Sequence, residues 1–95
     1  MTVDDEALRS AESAYEQAEI AFLQTVRNNA QRAALHAACQ TVADTAAAWN
    51  SSAYRSLHAA TGDERAELDL LTERTEVLQE LWADLAAAYR VELAV

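Results

Sequence analysis

Lysine and proline are absent from this 95-residue chain, and glycine and cysteine occur once each, as Gly62 and Cys39. Each shortage excludes something. One cysteine cannot build a disulfide scaffold. Without proline, and with a single glycine, the chain is not collagen-like, Pro-rich or a flexible linker. The seven basic residues are all arginine and face 16 acids, for a formal net charge of −9. Binding nucleic acid through a basic face requires clustered Lys and Arg to displace counterions from phosphates, so direct nucleic-acid contact is not expected. No apolar run approaches the roughly 20 residues of a membrane span, so no membrane contact is expected either. Met1-Thr2-Val3-Asp4-Asp5-Glu6 is acidic where a cleaved signal would be basic. The expectation is a cytoplasmic protein, with export by a signal-less route left open.

What remains is a composition made for helices. Alanine alone accounts for 23 residues, and Leu, Glu, Gln and Arg supply much of the rest. The problem is where the helices stop. Arg27-Asn28-Asn29 is polar, and Asn competes for backbone groups at caps and turns. Thr61-Gly62-Asp63-Glu64 is stronger: Gly62 suits the left-handed residue that ends a helix, and Thr61 and Glu64 have capping-box spacing. Thr2 offers a cap at the start, followed by acids that suit the positive end of the helix dipole. The expected helices lie near 3–27, 29–60 and 63–92, in one domain spanning residues 1–95.

The apolar spacing supports this division. Leu8, Ala11, Tyr15, Ala18 and Phe22 follow steps of three and four, and the same register turns polar at Asn29 and Arg32. The second helix carries Leu35, Cys39, Val42, Ala46, Trp49, Ala53, Leu57 and Ala60; the third carries Leu68, Leu71, Thr75, Leu78, Trp82, Leu85 and Tyr89. Such spacing means near-parallel helices packed as in a coiled coil. Folding the stripes back at the two breaks places Phe22 level with Leu35 and Tyr89, and Tyr15 level with Val42 and Leu81 or Trp82. Large residues then meet small ones in most layers, as close packing requires. The fold class is all-α, an up-down-up three-helix bundle. The alternative is a long two-helix hairpin, with the first two helices fused, pairing into a four-helix dimer.

Two features suggest a binding surface. The hairpin geometry leaves residues 55–70 beyond the start of the first helix, a tip holding Leu57, Leu68 and Leu70 with Tyr54 and Leu71 at its edge. Apolar surface left uncovered there would mark an interaction site. Trp49 joins this candidate set. Charge is also unevenly placed: residues 28–60 hold only Asp44, Arg32 and Arg55, together with 12 alanines. A helix small or apolar on several faces is usually buried on several faces, so a partner, most simply a second copy, would cover what the neighbouring helices leave open.

Chemistry-bearing constellations are weak. Glu12, Glu16 and Glu19, and likewise Glu73, Glu76 and Glu80, share helical faces, the ordinary pattern of a solvated surface. Neither His36 nor His58 has a carboxylate three residues earlier, as a di-iron bundle would require. Cys39 lies in an apolar stripe, where a thiol behaves as a small hydrophobe. No catalytic set, cofactor loop or metal cluster is expected, and therefore no enzyme.

Trp49 near the middle and Tyr89 near the end give the chain a resemblance to the WXG100 family of small secreted helical hairpins. The resemblance implies dimers, a Trp-x-Gly bend and a C-terminal Tyr-x-x-x-Asp/Glu export signal. Here the first motif reads Trp49-Asn50-Ser51, without the glycine, and the second reads Tyr89-Arg90-Val91-Glu92, with the acid one place early. The leading expectation is a non-enzymatic interaction module, an acidic bundle that forms a homo-oligomer. The alternatives are an acidic inhibitor or nucleic-acid mimic from a phage or mobile element, and a WXG100-like secreted protein.

Overall fold

A computed structural model describes residues 3–94, with side chains described from Asp5 to Arg90. Three helices run in succession: α1 (Val3–Arg27), α2 (Arg32–Ala59) and α3 (Gly62–Ala94). They form an all-α, up-down-up three-helix bundle. The rod measures 50 × 20 × 16 Å. At about 1.5 Å per residue, α3 alone accounts for the long dimension. The break between Arg27 and Arg32 excludes the fused two-helix hairpin.

Both turns are built by residues that tolerate unusual backbone. Asn29 takes φ +53°. The Ala30 amide donates to the Thr25 carbonyl at 3.3 Å and the Asn29 amide to the Val26 carbonyl at 3.1 Å. This is the Schellman arrangement, with Asn in the left-handed place usually given to glycine. It moves the start of α2 from the expected residue 29 to Arg32, because Gln31 is still extended at φ −65°, ψ 156°. In the second turn Gly62 takes φ +65°. It opens α3 rather than closing α2, whose last turn is capped by Ala60, its amide donating to the Leu57 carbonyl at 3.2 Å. The Arg65 guanidinium also reaches back to the Leu57 carbonyl at 3.4 Å, placing a cation at the negative end of α2. The expected cap at Thr2 lies outside the described residues.

α2 is the middle layer. Cys39, Val42, Ala43, Ala46, Trp49 and Ala53 are all buried. Small residues let a neighbouring helix come close, and α2 is approached from both sides. The backbones of α1 and α3, in contrast, stay more than 8 Å apart at Cα among the described residues. Long aromatic side chains fill that wider seam. Phe22 meets Trp82 edge-on at 5.2 Å between ring centroids, and Tyr89 at 6.5 Å. The Trp82 Nε1 donates to the Tyr15 hydroxyl at 3.1 Å, while the Tyr15 ring lies 5.2 Å from that of Trp49. One tyrosine thus joins all three helices.

One layer differs from the expected register. Leu85 is 37% exposed, and Ala86, at 2%, takes its place inside. A strict seven-residue repeat drifts about 20° per heptad around a straight helix. Leu71, Leu78 and Leu85 follow such a repeat, so by its third member the side chain has turned out of the groove.

Polar groups pin the α2–α3 seam. The Asn50 side-chain amide donates to the Thr75 hydroxyl at 2.8 Å and to the Thr72 carbonyl at 3.2 Å. Thr75 is fully buried and its hydroxyl donates in turn to the Leu71 carbonyl at 2.9 Å. This confirms Asn50-Ser51-Ser52 as helical. The Asn50→Ala variant leaves part of this network unpartnered and should lose about 1–3 kcal/mol of stability. Urea unfolding of the two proteins checks this; coincident midpoints would remove the network from any structural role.

Candidate functional site

The six candidate interface residues fall into three groups. Leu57 and Leu68 are buried, and with Ala60 they form a small second core. Leu8, Tyr54 and Leu71 pack against it from the rim. α1 begins early enough for Leu8 to cover the tip, so the expected apolar opening there is closed. Trp49 is 3% exposed and lies in the main core. The Arg74 guanidinium sits 5.9 Å over its ring. Of the six residues only Leu70, at 68%, presents its side chain fully to solvent.

Leu70 belongs instead to a surface that the single-stripe reading of each helix missed. Among the described residues, the exposed large apolar ones are Ile20, Leu23 and Val26 on α1, and Leu70, Val77, Leu81 and Leu85 on α3. None lies on α2. Its open positions, among them Ala37, Gln40, Thr41, Asp44, Ala48, Ser51 and Arg55, are small or polar. The Ala-rich helix therefore packs its larger apolar residues against its two neighbours, and the exposed large apolar residues lie on the outer helices. On α3, Leu70, Val77 and Leu81 are 68%, 64% and 60% exposed. Spacings of seven and four set them along one line, on the outward side of the helix that buries Leu68, Thr72, Thr75 and Ala86.

The titratable groups inside the bundle are held neutral. Burial raises the Tyr15 hydroxyl above its ordinary value of 10.0, and its hydrogen bond to the Glu19 carboxylate, 2.9 Å, adds to the shift. Burial likewise raises the Cys39 thiol. Cys39 has no exposed surface, and its Sγ approaches the Trp82 carbonyl at 3.7 Å, so it is placed as a core residue and not as a nucleophile. Tyr54 donates to the Glu76 carboxylate at 2.7 Å, and that bond raises its hydroxyl too. Among the described residues no group of three or more His, Cys, Asp or Glu side chains could hold a metal ion. Among the described residues no helix is long and apolar enough to cross a membrane.

No family model, curated protein or solved structure matches the chain. Of the two positions behind the WXG100 resemblance, Trp49 is not at a bend. Trp49 lies in the interior of α2, with the bends near residues 28–31 and 60–61, and Tyr89 packs on Phe22 with Arg32 6.0 Å from its ring centroid.

The raised hydroxyl and thiol give a pH dependence with a definite sign. A group whose folded value lies above its unfolded value contributes stability that is complete below the unfolded value and lost as pH rises through the folded one. The urea midpoint should therefore hold steady from pH 7 to about 8, begin to fall near pH 9 through Cys39 and fall further beyond about pH 10 through Tyr15. In the Tyr15→Phe variant the fall beyond pH 10 should be shallower. A midpoint that rises in this range would contradict the buried placement of both groups.

Proposed function

We propose that this protein is a non-enzymatic protein–protein interaction module, a helical bundle that self-associates through the outer faces of α1 and α3. The observation that carries the reading is the outward line of Leu70, Val77 and Leu81 on α3, each at least 60% exposed beside a core that is already complete. Isolated exposed leucines are unremarkable, but aligned large apolar residues on a small domain mark an interaction surface. The neighbouring charges fit a protein partner better than other classes. Glu73 and Glu80 flank the line, which disfavours phosphate backbones and anionic membrane surfaces.

Sedimentation velocity between about 5 µM and 1 mM tests the reading, since small interfaces belong to the weak end of protein association. The sedimentation coefficient should rise with concentration. The double variant Val77→Glu/Leu81→Glu should remain monomeric throughout while keeping its helical circular dichroism. A wild-type chain that stays monomeric up to the highest concentration would overturn self-association.

A further inference from the structure

We infer that the occupant of the α3 line is the α3 helix of a second copy, running antiparallel and centred on Gln79. The inference rests on the self-association reading above and specifies its geometry. Leu70, Arg74, Val77, Leu81, Asp84 and Ala88 follow alternating steps of four and three residues, and all six are exposed. That is the spacing of a coiled-coil seam about 27 Å long, separate from the seam that faces the bundle. Four of its members are apolar. The other two, Arg74 and Asp84, carry opposite charges and stand at equal distances on either side of Gln79.

That symmetry selects direction and register. A twofold interface is self-complementary: whatever one residue meets, its counterpart meets in return. With two antiparallel α3 helices centred on Gln79, Val77 faces the second copy's Leu81, Leu70 faces its Ala88, and Arg74 faces its Asp84. Every apolar residue meets an apolar one, and the ion pair forms twice. A parallel pair would set Arg74 against Arg74 and Asp84 against Asp84. Sliding the antiparallel pair by one heptad would set Arg74 against Val77 in one direction and Asp84 against Leu81 in the other. Arg74 is exposed with its Cζ 5.9 Å from the Trp49 ring centroid, and a guanidinium carries five N–H donors, which a contact with a ring does not exhaust. One term opposes the pair: the two Glu80 side chains come close across the axis on one edge.

A charge-reversal cycle on the full chain tests the register, read as the dimer dissociation constant by sedimentation. Arg74→Asp and Asp84→Arg should each weaken the dimer roughly tenfold, since each replaces two ion pairs by two repulsions. The double variant Arg74→Asp/Asp84→Arg should return it to near the wild-type value. Asp84→Arg leaves the Trp49 contact intact, so its effect is separable from any loss of folding, which circular dichroism monitors. Glu80→Gln should tighten the dimer about twofold. A spin label on Ala66→Cys should lie about 40 Å from its twin, against about 10 Å in a parallel pair. Association that Val77→Glu/Leu81→Glu abolishes but neither charge reversal weakens would overturn the register and keep the self-association reading. A short label distance would overturn the direction. A wild-type chain that never associates would overturn both readings together.

Discussion

A helix rich in alanine can be approached closely from two sides, and the rest of this fold follows from that. α2 takes α1 against one side and α3 against another, and its buried side chains are mostly small: Cys39, Ala43, Ala46 and Ala53, with Val42 and Trp49 between them. The cost appears in the third seam. α1 and α3 stay more than 8 Å apart at Cα among the described residues, and the gap between them is filled by Tyr15, Phe22, Trp82 and Tyr89. The Tyr15 hydroxyl is the joint, accepting from Trp82 and donating to Glu19 while its ring packs on Trp49. Large aromatics supply buried area where the backbone spacing is greatest.

Small residues alone would leave the register of the helices undetermined. A stripe of alanines presents nearly the same surface after a slide of one turn. Directional groups remove that freedom. Asn50, Thr72 and Thr75 satisfy one another only in a single alignment of α2 and α3, and buried polar groups left unpaired by a slide would each cost about 1–3 kcal/mol. The fold therefore separates two tasks. Alanine and the aromatics provide contact, while a few hydrogen-bonding side chains specify position.

Most of the architecture was legible because it depends on periodicity and on breakers. Three stripes and two breaks gave the bundle, and Gly62 and Asn29 both sit where positive φ is needed. The parts that were not legible have physical causes. The Leu85 to Ala86 exchange comes from helical drift, which accumulates too slowly to be seen in a single heptad. Hairpin pairing leaves the tip around Leu57 and Leu68 open because it ignores the reach of Leu8. The outer line on α3 was hidden for a different reason. Val77 and Leu81 adjoin Leu78 and Trp82 in the chain, and assigning one apolar stripe to each helix absorbs such neighbours into it. Only the side-chain exposures in the folded bundle separate the two faces.

The net charge of −9 acts on the proposed pairing in two ways. At physiological ionic strength repulsion between copies fades beyond about 8 Å, so it opposes loose clustering at a distance more than it opposes contact. At contact the local arrangement decides, and there the α3 seam carries one cation and one anion between apolar residues, with glutamates confined to its flanks. An apolar line bordered by acid resists stacking in arbitrary registers, because most alignments set carboxylate against carboxylate or a charge against a leucine. The alignment centred on Gln79 avoids both within the seam. In this geometry the acid bordering the line restricts association to one partner orientation.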